Sequence, residues 1–222
     1  MIIGILKETL EHESRVAITP DIAKKLISSN HKIHIESGAG EKSFFSDQHY
    51  SDVGCIIEND SKSIYNCHLI LKVNAFTNEE LENSKPGTSL ISFFQIKDNV
   101  NLLQNYLNKK ITLLSMSHIP RTTLAQNMDA LSSQSNIAGY KSTIIAADHT
   151  SKYMPLLMTA AGTIKPSKVL ILGAGVAGLA AIANAKRMGA QVFAFDVRPV
   201  VKEQVESLGA KFIEVESDTD EG

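Results

Sequence analysis

Short apolar runs alternate with amphipathic segments along most of this 222-residue chain, and this alternation limits its fold more than any other feature. Residues 2–6, Ile-Ile-Gly-Ile-Leu, read as a buried strand. Residues 19–29 follow with a Thr-Pro helix start and helical spacing of Ile22, Leu26 and Ile27. Residues 32–37 alternate at period two, as a strand does. Further strand-like runs at 68–73, 88–94 and 111–116 are separated by polar helical stretches at 77–84 and 98–110. Strand, helix, strand in repetition means parallel α/β layers. This first domain is expected to span residues 1–125.

Residues 126–165 read as a connection, with a helix from 129 to 148 and a hairpin arm around Ala160-Ala161-Gly162. Gly139 inside the helix is expected to allow close packing. A second strand–helix series starts at Lys168 and ends with a short strand at 210–215, giving a domain over 166–222. The fold class is therefore α/β with two Rossmann-like parallel-sheet domains. The second is represented only by its first mononucleotide half. The acidic tail 216–222 is expected to fray.

Composition narrows the function. A hydrophobic content of 43%, a charged content of 21% and a formal charge of −2 fit an ordinary globular protein with no general affinity for nucleic acid. No apolar stretch nears the ~20 residues of a membrane span. The N-terminus lacks the basic region and long apolar core of a signal peptide. The chain is expected to be soluble and cytoplasmic. Cys55 and Cys67 have no CxxC spacing and read as buried thiols, with no metal site expected.

Gly173, Gly175 and Gly178 stand at G-x-G-x-x-G spacing. Four apolar residues precede them and an Ala-rich helical segment follows, the strand–turn–helix setting that gives the spacing meaning. Gly173 permits the tight turn, Gly175 lets the backbone approach a pyrophosphate, and Gly178 lets helix and strand pack closely. The helix start then offers unpaired N–H groups to phosphate. The next strand ends at Asp196, 18 residues beyond Gly178. A carboxylate there accepts from ribose hydroxyls and repels a 2′-phosphate, so NAD(H) is expected over NADP(H). Arg198, close by, softens that preference.

The stretch 119–133, which runs into the connection, carries Arg121, Gln126, Asp129 and Ser132 within twelve residues. Asp129 and Ser132 share a helical face if Asp129 begins the helix. One reading is a capped helix with polar loop residues. The other is a cluster that grips a carboxamide and a ribose.

Several segments resemble a known family: residues 13–20 (ESRVAITP), 69–75 (LILKVNA), 121–140 (RTTLAQNMDALSSQSNIAGY) and 173–214, including FDVRPVVKEQV. Together they resemble the NAD(H)-binding alpha component of the proton-translocating NAD(P) transhydrogenases, within the alanine dehydrogenase/transhydrogenase superfamily. The resemblance implies that Arg121, Gln126 and Asp129 contact NAD(H) and bring two nicotinamides together, with Ser132 assisting. It implies that Gly173, Gly175, Val176, Gly178, Asp196 and Arg198 hold the adenosine half. It also implies NADP(H) on a partner domain, a membrane proton-channel domain, a homodimer and a place at the inner membrane through partner subunits. Relatives commonly carry Ser-Arg-Ala-Gln where this chain has Thr123-Leu124-Ala125-Gln126.

Alanine dehydrogenases share the SRVAITP and Lys72 segments but need a general acid/base, for which they use a histidine after the strand matching 88–94. Gln95 stands there in this chain. Hydride transfer between two nicotinamides moves no such proton, so the missing histidine favours transhydrogenation. Arg15 and Lys72 are read as structural. Family members continue past residue 222, so the chain reads as C-terminally truncated. A split gene, a partial sequence and a naturally short protein all remain open. The alternative functions are an alanine dehydrogenase-like oxidoreductase and a non-catalytic remnant.

Overall fold

A computed structural model describes residues 1–120 and 122–215. Arg121 and the tail 216–222 lie outside the described residues. The chain divides into two compact units, Met1–Met128 and Asp129–Gly222.

The first unit runs β1 (Ile2–Ile5), α1 (Pro20–Ser28), β2 (Lys32–Glu36), α2 (Asp47–Asp52), β3 (Ile56–Glu58), α3 (Ser61–Ile64), β4 (Leu69–Leu71), α4 (Asn78–Asn83), β5 (Ser89–Ser92), α5 (Val100–Asn108) and β6 (Thr112–Ser115). Its six strands are parallel, in the order β3-β2-β1-β4-β5-β6. That is the doubly wound order, which places a crevice at the carboxyl ends of β1 and β4. Successive residues of β1 face opposite sides of the sheet. Ile3 and Ile5 pack with Ile33, Ile35 and Tyr50 in one core. Ile2 and Leu6 join Ile64, Ile70, Leu81, Leu90 and Phe94 in the other. Gly4 lies between; a Cβ there would come within 2.7 Å of Ile64 Cγ2 and 3.0 Å of Cys67 Sγ.

The periodicity pattern anticipates five of these strands and misses β3. With three residues hemmed in by a turn at Gly54 and the Asp60 cap of α3, β3 is too short to show a period. Only its parallel register with β2, Ile35 opposite Ile57, makes it a strand.

The second unit runs α6 (Ala130–His149), β7 (Leu157–Thr159), β8 (Gly162–Ile164), β9 (Lys168–Leu172), α7 (Val176–Arg187), β10 (Gln191–Phe195), α8 (Lys202–Ser207) and β11 (Lys211–Phe212). β7 and β8 form an antiparallel hairpin with every residue exposed. β11-β10-β9 form a parallel three-stranded sheet, one mononucleotide half. Its core gathers Ile182, Ala185, Val192, Ala194, Val205 and Phe212.

α6 lies directly against α7. A Cβ on Gly139 would stand 2.0 Å from Ala177 O, so no other residue allows this approach. One turn further along each helix, Thr143 Oγ1 donates to Ala181 O at 3.3 Å. Residues 139 and 143 thus meet 177 and 181 in the same order, so the two helices run parallel. α7 starts at Val176, almost level with Gly139, whereas α6 starts nine residues earlier. At 1.5 Å per residue, α6 overhangs the start of α7 by about 13 Å.

Candidate functional site

The best-defined site of the second unit is the carboxyl edge of its sheet. β9 ends at Leu172, and Gly173 turns the chain with φ of +94°, a region that favours glycine. Its amide donates to Phe195 O at 2.8 Å, so the turn is stitched to the end of β10. Gly175 is the N-cap of α7 and supplies no side-chain cap. The first-turn amides of a helix lack intrahelical acceptors and point outward at the positive end of its dipole. A Cβ on Gly175 would meet nothing within 4 Å, so there is open room above these donors for a phosphate. Gly178 packs the first turn of α7 onto Gly173. Val176 opens α7 and is exposed.

Asp196 follows β10 and faces this turn. Its Oδ2 accepts from Ala174 N at 2.7 Å, and its Oδ1 accepts from Arg198 N at 2.9 Å. The Arg198 guanidinium closes on the same carboxylate through Nε and Nη2, at 2.9 and 3.0 Å. The guanidinium, then the Ala174 and Arg198 amides, hold the Asp196 carboxyl well below the usual carboxylate range. It is an ionised acceptor over all ordinary pH values. Beside it opens a mostly apolar cavity of about 360 Å³, lined by Phe195, Val197, Pro199, Phe212, Ile213 and Val215, with Asp196 and Glu214 also on its wall. Sequence reasoning missed this cavity, because Val197 and Phe212 lie on different strand ends and are joined only by the β10–β11 pairing.

Asp129 caps the overhanging start of α6. Its carboxylate accepts from Ser132 N at 2.9 Å and Ser132 Oγ at 2.6 Å. The two residues therefore share a face, Asp129 about 13–15 Å and Ser132 about 9–11 Å beyond the level at which α7 begins. Gln126 belongs to the first unit, exposed on the 3-10 turn Thr123–Met128. Arg121 lies outside the described residues.

At the crevice of the first unit, Lys72 and Arg15 are each matched by a carboxylate. Lys72 Nζ, with its side chain 1% exposed, donates to both oxygens of Glu80 at 2.7 and 2.9 Å. Arg15 donates to Glu13 through Nε and Nη2 at 2.8 and 2.7 Å, and its guanidinium lies 6.0 Å from the Phe93 ring centre. Arg15 is the main reason the Glu13 carboxyl falls to about 2. Gln95, beyond the end of β5, is exposed. Among the described residues, no group of three or more His, Cys, Asp or Glu is placed to hold a metal ion. No helix among them is long and apolar enough to cross a membrane.

Two family models account for nearly the whole chain. The N-terminal domain of alanine dehydrogenase/PNT matches residues 4–138, and the C-terminal domain of alanine dehydrogenase/PNT matches residues 142–222. The chain belongs to the alanine dehydrogenase/PNT family. Within that family it is 45% identical to the NAD(P) transhydrogenase subunit alpha of Haemophilus influenzae, over 97% of this chain and 42% of the relative. A solved transhydrogenase of Sinorhizobium meliloti superposes with a TM-score of 0.92 at 42% identity, covering 96% of this chain and 64% of that one. An alanine dehydrogenase of Staphylococcus saprophyticus is 30% identical, over 94% of this chain and 56% of its own length. The chain thus spans less than two thirds of each of these family members. The two fold units of this alanine dehydrogenase/PNT chain are both parallel α/β, and the six-stranded order is complete in the first.

Proposed function

We propose that this chain binds NAD(H) on its second unit and serves as the NAD(H)-binding part of a proton-translocating NAD(P) transhydrogenase. The observation that carries this reading is the Ala174–Asp196 bond, which fixes an ionised acceptor beside a glycine turn and a helix start. A ribose diol fits such an acceptor, and a 2′-phosphate is repelled by it. The open space at Gly175 suits the pyrophosphate, and the cavity lined by Val197 and Phe212 suits an adenine. Greater similarity to a transhydrogenase subunit than to an alanine dehydrogenase favours the transhydrogenase branch. So does Gln95, where proton-transferring chemistry needs an acid/base group.

Bound NAD(H) would supply the hydride-carrying nicotinamide carbon, and NADP(H) on a partner domain the other. The residues of this chain need only bind and orient. The amides of Val176 and its neighbours face the phosphates, with Gly173, Gly175 and Gly178 giving them room. Asp196 accepts from the adenosine ribose. Asp129 and Ser132, carried past the phosphate site by the overhang of α6, stand on the nicotinamide side. The family resemblance assigns contacts with the carboxamide and ribose to Gln126 and Arg121 as well. Holding two rings in register supplies most of what such a transfer requires.

This reading includes a membrane proton-channel domain as partner, a homodimer through the exposed β7–β8 hairpin, and a cytoplasmic position peripheral to the inner membrane. Calorimetric titration of the 222-residue chain with NADH tests it directly. Saturable binding, with much weaker binding of NADPH, is expected, together with no alanine-dependent NADH formation. Absence of NADH binding at millimolar concentration overturns the assignment, and clear alanine turnover replaces it with an alanine dehydrogenase.

A further inference from the structure

Asp196 has all of its acceptor capacity in use. An ionised carboxylate offers about four lone-pair positions. Ala174 N, Arg198 N, Arg198 Nε and Arg198 Nη2 each take one. The two backbone donors are fixed by the turn and by the chain after β10. The two guanidinium donors sit on a side chain that is 56% exposed, while the Asp196 side chain is 6% exposed. A vicinal diol needs two acceptor positions at the same carboxylate. Only the guanidinium can release them without breaking the turn.

We propose that Arg198 is an internal competitor for the ribose: it occupies the two positions on Asp196 that a nucleotide's 2′- and 3′-hydroxyls take, and swings into solvent when a nucleotide binds. This rests on the NAD(H) reading of the same site. The backbone amides keep the carboxylate oriented when the arginine leaves, so losing Arg198 does not disorder the acceptor. The competition lowers affinity for every ligand carrying an adenosine diol and leaves the nicotinamide half untouched.

The test compares wild type, Arg198→Ala and Arg198→Lys by titration with NADH, AMP and reduced nicotinamide mononucleotide, with thermal unfolding to confirm the fold. Arg198→Ala is expected to bind NADH and AMP about two- to fivefold more tightly, the range of an ion pair whose cation stays open to solvent. Reduced nicotinamide mononucleotide should show no change. Arg198→Lys, which has one point donor in place of a fork, should fall between. The gap between wild type and Arg198→Ala should narrow as salt rises, because the competing pair is screened. Equal or weaker NADH binding by a folded Arg198→Ala, or a gap that ignores salt, overturns the proposal. Should Arg198→Ala not fold, Arg198→Gln takes its place with the same expectation. Failure of wild type to bind NADH or AMP at all is a different result, and strikes the NAD(H) reading itself.

Discussion

A Cβ on Gly178 would stand 1.8 Å from the carbonyl oxygen of Gly173. The first turn of α7 and the turn that follows β9 are therefore in backbone contact. Overpacking at a rigid position usually costs about 1–3 kcal/mol. Here the atom met is backbone and cannot turn aside. Gly178→Ala is expected to lower the melting temperature of the second unit by at least about 5 °C. It should also weaken NADH binding, measured by calorimetry below the melting range. An unchanged melting temperature would show that helix and strand separate at little cost.

Asp129 joins a cap to a proposed cofactor contact, and two substitutions separate these roles. Asparagine caps helices about as well as aspartate, whereas alanine loses about 1 kcal/mol. Asp129→Asn should therefore keep thermal stability near wild type, and Asp129→Ala should lower it. Hydride transfer in a reconstituted complex should fall in both, together with smaller losses of NADH binding. Gln126→Ala should behave like Asp129→Asn. Normal transfer by Asp129→Asn would reduce Asp129 to a helix cap.

The Lys72–Glu80 pair is buried and hydrogen-bonded, and Glu80 also accepts from Thr77 N in the capping box of α4. Removing one partner of such a pair costs roughly 3–5 kcal/mol, because the other charge is left buried. Lys72→Met should destabilise the first unit strongly in urea unfolding. The Lys72→Met/Glu80→Gln pair should recover part of the loss, and NADH binding by either folded variant should be near wild type.

Acid should act on the first unit through Glu13. Its carboxyl is lowered to about 2, first by the Arg15 side chain, from an ordinary value of 4.5. A depressed carboxyl contributes stability that is fully present above the unfolded value, here pH 4.5, and is lost as pH falls toward 2. Glu13→Gln should be less stable than wild type at pH 7, and the two should converge between pH 4.5 and 2. Denaturant midpoints measured across that window would show the convergence; parallel curves would remove Glu13 from the acid response.

Both cysteines are buried and free, and burial pushes each thiol up to about 11. On the order of 0.1% of each is thiolate at pH 8. Native protein should react slowly with a thiol-specific chromogenic disulfide, and denaturant should release both thiols at once. Fast native labelling would mean that the cores around Tyr50 and Ile64 open readily.

Much of this protein is legible in its sequence because the signals are local. Apolar runs separated by helical segments announce parallel layers. The Gly173–Gly178 spacing needs only a few neighbouring residues to mark a strand–turn–helix. The Asp129–Ser132 face follows from helical spacing, and the family likeness from segments such as 121–140. Lengths were less legible: the strand read at 68–73 is only Leu69–Leu71, and β3 escaped notice because three residues show no period.

Other features came only from tertiary structure. The parallel packing of α6 on α7, set by Gly139 against Ala177, carries Asp129 past the start of α7; nothing in either helix alone gives that offset. The pairing of β10 with β11 gathers Val197 and Phe212 around one cavity. The sequence places Arg198 two residues from Asp196, among the residues expected to hold the adenosine half, but does not show that its guanidinium closes on the carboxylate. The fold fills two of the carboxylate's four positions with backbone amides and the other two with the Arg198 guanidinium. Spacing along a chain reports which groups lie near one another, whereas competition for a shared lone pair depends on directions that only the packed backbone sets.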